Sequence, residues 1–247
     1  MKKTILLLIM TLVLAMGCKK IKVTDPEDDD TPDPIEIGSL YFDGNGDFLV
    51  VEDHDDLDLA NKTYVLEAMV KPKANNYYQW FLSKAYLNDN MDYMLGIDRY
   101  NNKYRHISSS LGNDINAITA INGDWIKVEG VHNIETGTFS IYINGKLENT
   151  TNINSRSSKS NDNDLYIGAR WFSNNLKAVE FLTGEIDYIK IWGPSKRNVA
   201  VSKGIELNLD LIAYWEMNEL YGTNQVEDLT GNGHHATING NPKFIKH

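Results

Sequence analysis

The feature that most restricts the fold is the rhythm of short β-prone runs punctuated by glycine, asparagine and aspartate. From Gly38 onward, segments rich in valine, isoleucine, threonine, tyrosine and phenylalanine recur about every 8–12 residues. Ser39–Phe42, Asp47–Glu52, Thr63–Lys71, Tyr78–Ala85, Asp92–Asp98 and Tyr104–Ser109 read as strands. So do Trp125–His132, Thr138–Ile143, Leu165–Ala169, Ile186–Trp192, Leu211–Met217 and Ala236–Ile238. Asp43-Gly44-Asn45-Gly46 and Asn144-Gly145 have the composition of tight hairpin turns, where positive φ is needed. Lys196–Leu207 is the one stretch with a helical pattern, and Gly204 weakens it. Such a chain has few ways to bury its alternating faces, and an all-β sandwich of two antiparallel sheets is expected.

Composition narrows what the sandwich can do. The 247 residues are 42% hydrophobic, with 13 tyrosines and five tryptophans, enough for a substantial core. The formal net charge of −10 argues against a nucleic-acid partner, which calls for basic patches. A single cysteine, Cys18, excludes an internal disulfide and a cysteine zinc site.

The first residues read as an address. Lys2 and Lys3 precede an apolar run from Thr4 to Met16, shorter than the ~20 residues a spanning helix needs. The run ends Ala15-Met16-Gly17-Cys18, which resembles a bacterial lipoprotein signal with Ala15 standing where leucine is usual. That resemblance implies a signal peptide over 1–17 and lipidation at Cys18, with the lipid as the only membrane attachment, at the outer membrane. Residues 18–36, rich in aspartate and proline, read as an extended acidic linker, leaving 37–247 for the sandwich and its last strands.

A set of motifs in fixed order adds to this. Leu40-Tyr41-Phe42-Asp43-Gly44, Ser83-Lys84, Gly123-Asp124-Trp125, Ile141-Tyr142-Ile143-Asn144-Gly145-Lys146, Leu165-Tyr166-Ile167-Gly168-Ala169-Arg170 and Gly184-Glu185-Ile186-Asp187 follow one another. The set resembles the laminin-G-like domain of the concanavalin A-like lectin/glucanase superfamily, over about residues 38–193 by the extent of these motifs. The tail, with Asp228-Leu229-Thr230-Gly231-Asn232-Gly233-His234-His235, is similar to segments that flank such domains. The resemblance implies a jelly roll of two antiparallel sheets, one concave, with ligands at the rim or on the concave face. It also implies one structural calcium ion between the turn after the first strand and a late aspartate, here Asp43, Gly44, Asp47 and Asp187.

Three chemistries are open to such a chain. In an unbroken strand, Glu185 and Asp187 share a side and Ile189 and Ile191 continue the row. The glucanase branch of the superfamily uses Glu-x-Asp-x-Glu, with or without one bulge residue. Here Ile189 or Lys190 stands where the acid/base glutamate belongs, so retaining hydrolysis lacks its proton donor. There is no Gly-x-Ser-x-Gly elbow and no His-Glu-x-x-His. His234 and His235 are adjacent, face opposite ways in an extended strand, and make a poor chelate with each other. Non-catalytic binding of a glycan or a surface protein is the expectation left. Sugars are held by aromatic faces and planar polar groups. Arg170, Trp171 and Phe172, with Tyr77 and Tyr78, supply that mixture, whereas Trp80, Trp125, Trp192 and Trp215 sit in strand patterns and read as core. The other readings are a hydrolase with a different carboxylate pair and a structural subunit of a surface assembly.

Overall fold

A computed structural model describes residues 38–85, 91–108, 113–153, 160–172, 177–194, 209–219 and 222–247. The signal peptide, Cys18, the linker and the helical reading of 196–207 lie outside the described residues. No helix among the described residues is long and apolar enough to cross a membrane.

The strands are β1 Gly38–Asp43, β2 Phe48–Val51, β3 Tyr64–Pro72, β4 Gln79–Ala85, β5 Met91–Ile97, β6 Lys103–Ser108, β7 Asn113–Ala120, β8 Ile126–Asn133 and β9 Thr138–Ile143. They continue as β10 Lys146–Asn152, β11 Leu165–Ile167, β12 Arg170–Phe172, β13 Lys177–Val179, β14 Thr183–Pro194, β15 Leu209–Glu216, β16 Gln225–Val226, β17 Ala236–Asn239 and β18 Lys243–Lys246. One sheet runs β10-β9-β8-β3-β14-β1-β18, with β15 also paired to β14; the other runs β16-β17-β2-β11-β4-β5-β6-β7. Every pairing is antiparallel. One buried cluster draws Leu66, Ala68, Val70, Phe139, Ile141 and Ile189 from the first sheet and Leu49, Phe81, Leu95 and Ile167 from the second. The two-residue period of each strand therefore places one row between the sheets and leaves the other row outside.

Two turn readings part company here. Asn144 and Gly145 take φ of 50° and 76° and close the β9–β10 hairpin, as their chemistry predicts. Asp43-Gly44-Asn45-Gly46 closes no hairpin. β1 pairs with β14 and β18 in one sheet, whereas β2 pairs with β11 and β17 in the other. The turn is a corner between layers, and Asp47 ties it down: its carboxylate accepts the Asn241 N–H at 2.7 Å and the Asp43 N–H at 3.3 Å.

β14 departs from the expected row. A bulge at Asp187, between Ile186 and Tyr188 in the register with β3, shifts the phase of the strand. Ile186, Ile189 and Ile191 face the core, and Glu185 lies on the opposite side. Glu185 there accepts the Ser39 hydroxyl at 2.9 Å and pairs with Lys71 at 3.4 Å. Glu185 and Asp187 consequently do not form a row with Ile189.

Candidate functional site

The outer face of the second sheet carries a mixture of aromatic and charged groups. In β5, Tyr93, Leu95 and Ile97 enter the core, so Met94 and Gly96 face outward; in β6, Arg105 and Ile107 do. Trp80 joins Met94 and Ile107 in a buried cluster separate from the main core. Gly96 makes room for it: a Cβ there would stand 2.7 Å from the indole and 2.1 Å from the Gln79 carbonyl. Trp80 was expected in the core. It is 3% exposed, but on the outer face of the sheet.

Around this indole the polar groups converge. Trp80 donates its Nε1–H to Glu180 at 2.6 Å, and Arg170 clasps the same carboxylate through Nε at 2.7 Å and a terminal nitrogen at 3.2 Å. Glu180 has φ of 58°, a conformation that is rare for a residue with a side chain and recurs at ligand sites. β12 and β13 form a two-stranded flap that places Arg170 opposite Val179 and Trp171 opposite Ala178. Trp171 stacks on Tyr166 with centroids 5.8 Å apart, and Phe48 continues that row 5.9 Å beyond Tyr166. Burial, with Asp164 nearby, pushes the Tyr166 hydroxyl up to about 12, so it remains a neutral donor at ordinary pH. Phe172 lies under the Arg170 guanidinium at 5.2 Å.

On the other side of Trp80, Tyr78 stacks on it at 6.1 Å, and the guanidinium groups of Arg99 and Arg105 lie 5.0 and 5.1 Å from the Tyr78 ring. Burial opposes the charge of Arg105, but Asp114 accepts two hydrogen bonds from it, at 2.8 and 2.6 Å, and holds its pKa above the usual range. Tyr77 stands 71% exposed next to this row. The fold thus brings Arg170, Trp171, Phe172 and Tyr78 to one surface, with Tyr77 at its border. Trp80 and Glu180 were missed as site residues. Strand alternation could have placed Trp80 on either face, because a bulge follows it between Trp80 and Leu82.

The residues expected to hold calcium do not converge. Asp43 pairs in register with Thr183, which puts Asp187 four positions along β14, ~13 Å away at the rise of an extended strand. Asp43, Gly44 and Asp47 do share the corner, but both oxygens of Asp47 accept backbone N–H groups and Asp43 Oδ1 accepts the Asn45 N–H at 2.7 Å. Asp187 meets Glu216 instead; burial, then that carboxylate, raises its pKa. The shared calcium set is corrected on the strand register, which separates its members. Of the other tryptophans, Trp215 is in the main core, Trp192 packs with Val65, Val131 and Leu209 outside it, and Trp125 is half-buried beside His247.

Residues 43–198 match a laminin G-type family model described as the concanavalin A-like lectin/glucanases superfamily. A search of curated proteins gave no match. Among solved structures, a Bacteroides ovatus protein described as a candidate carbohydrate binding protein superposes with a TM-score of 0.59 at 15% identity, over 85% of this chain and 60% of that one. The chain thus spans about three fifths of that protein's length. A SAP-like pentraxin of Limulus polyphemus matches with a TM-score of 0.48 at 15% identity, over 64% of this chain and 77% of that one. The CBM40 of a Ruminococcus gnavus IT-sialidase, bound to α2,3-sialyllactose, gives 0.48 at 11% identity, over 63% and 91%.

Proposed function

The chain belongs to the concanavalin A-like lectin/glucanases superfamily, and from that premise we propose that it is a non-catalytic carbohydrate-binding module that captures a glycan on the outer face of its second sheet. The observation that carries the reading is the Trp80–Glu180–Arg170 network flanked by the Trp171–Tyr166 stack and by Tyr78. Aromatic faces match the apolar faces of a sugar ring, and the fixed guanidinium and carboxylate match its hydroxyls. The B. ovatus relative's description agrees with this, although its 15% identity speaks for the fold alone. In the same proposal, lipid on Cys18 tethers the module at the bacterial outer membrane, where it serves adhesion or glycan capture.

Hydrolysis along β14 is disfavoured in this reading. Ile189, which stands at the acid/base position, has 0% exposure within the core, and Lys190 lies over the rings of Tyr188 and Tyr214 at 4.4 and 4.5 Å. Glycan-array screening of the wild type and Trp171→Ala is the direct test. The expected result is a defined glycan hit whose affinity falls about tenfold or more in the variant, the scale of losing one stacking aromatic. Unchanged glycan affinity in Trp171→Ala, with an unchanged thermal midpoint, would move the site off this face. Release of reducing sugar from the bound glycan would replace binding by catalysis.

A further inference from the structure

The turn after β2 and the loop before β17 meet at a cleft of about 280 Å³, which includes His54, His234 and His235 in its wall. There His54, Asp56 and His234 each offer one ring nitrogen or carboxylate oxygen, and these three atoms lie within 4.8 Å of one another. The two imidazoles meet edge to face, with centroids 4.9 Å apart. His234 is 4% exposed, and its Nε2 is buried without a hydrogen-bond partner. A buried imidazole nitrogen with no partner costs stability unless something binds it.

The surroundings hold His234 still. Its N–H donates to Asp228 at 3.1 Å, and its carbonyl accepts the Trp215 indole N–H at 2.6 Å. Asp228 is itself fixed by the Thr230 hydroxyl at 2.8 Å and the Tyr214 N–H at 3.1 Å. On the opposite side, His54 Nδ1 accepts the Asp56 N–H at 3.1 Å, so in the neutral ring this nitrogen carries the lone pair, and a metal would bind it in place of that hydrogen bond. The Asp56 carboxylate stands 3.7 Å from that nitrogen.

We propose that His54, Asp56 and His234 form a site for zinc or a similar late first-row divalent cation. Two imidazoles and one carboxylate suit such an ion and give calcium too few oxygens. Tetrahedral zinc spaces its ligand atoms about 3.4 Å apart, a closure that rotation of the exposed His54 and half-buried Asp56 supplies. Three protein ligands leave a fourth position for water or a ligand donor from the cleft. Bound metal would staple the turn after β2 to the C-terminal loop, joining segments 180 positions apart in the chain. The pairing of His234 with His235 was a poor chelate; the fold supplies His54 instead.

Zinc chloride titrated into the full chain against a chromophoric chelator tests this, together with thermal unfolding in the presence and absence of zinc. One zinc per chain and a raised thermal midpoint are expected in the wild type. His54→Ala, a change at an exposed side chain that leaves the core intact, should weaken zinc binding about tenfold or more and remove the midpoint shift. His235→Ala should leave both as in the wild type, and calcium chloride should produce neither effect. Equal zinc affinity in wild type and His54→Ala, or loss of binding in His235→Ala alone, overturns the assignment.

Discussion

Asp92 sits at the start of β5 with 0% exposure, one oxygen accepting the Leu59 N–H at 3.0 Å and the other without a partner. Burial raises its pKa to about 7, against the opposing pull of the Leu59 N–H and of Lys84. Lys84 is itself buried, bonded to Asp53 and to the carbonyls of Asn161 and Asn163 at 3.0 and 2.8 Å. The unfolded chain releases the Asp92 proton near the ordinary 3.8 and the folded chain near 7. Between those values the folded state binds more protons, so this group makes stability fall as pH rises through the window and leaves it level above. Asp92→Asn keeps an acceptor for Leu59 and removes the ionisation. It should exceed the wild type by about 1–3 kcal/mol at pH 8 and match it near pH 4, read by denaturant titration at both pH values. An equal difference at both would show that ionisation is not the cause. His106, lowered to about 3 by burial, slopes the other way, but it is common to both proteins and cancels in the comparison.

At the scale of elements, the two most consequential features are a corner and a bulge. The corner after β1 looked like a hairpin because glycine-rich turns that close a hairpin and those that cross between layers share one chemistry. What distinguishes them is the partner of each flanking strand, decided by β14 and β17 far along the chain. Asp47 anchors the corner through two backbone donors, one of them Asn241, and is 5% exposed. Asp47→Ala leaves both donors without that partner and should cost about 2–3 kcal/mol in urea unfolding, with the same loss in excess calcium and in chelator. A loss confined to calcium-loaded protein would restore a metal role for Asp47. The bulge at Asp187 is equally illegible locally: Gly184-Glu185-Ile186-Asp187-Tyr188-Ile189 alternates plausibly, and the extra residue shows only in the pairing with Met69 and Val70 of β3. β7 escaped notice for a different reason. Its outward Asp114 and Asn116 dilute the strand signal, although Ile115 and Ala117 are buried.

For the molecule as a whole, the C-terminal strands complete the sandwich. The family match ends at residue 198, yet β15, β17 and β18 pair with β14, β2 and β1, and the tail they belong to brings Trp215, Met217, Val226 and Ala236 into the core. A chain ending at Pro194 exposes those core neighbours and the edges of three strands, and it should lose its cooperative thermal transition; a cooperative transition retained near the full-length midpoint would show the tail to be an appendage. The sequence by itself determined the class of fold, most strand positions, the Asn144-Gly145 hairpin and the aromatic–arginine composition of Arg170-Trp171-Phe172, because alternation, turn chemistry and side-chain type are local properties. Only the tertiary structure decided that Trp80 faces outward toward Glu180, that Asp43 and Asp187 lie apart, and that His54 meets His234. Those outcomes depend on strand register and sheet order, which are set by the summed packing of residues more than a hundred positions apart and leave no mark in any short stretch of the chain.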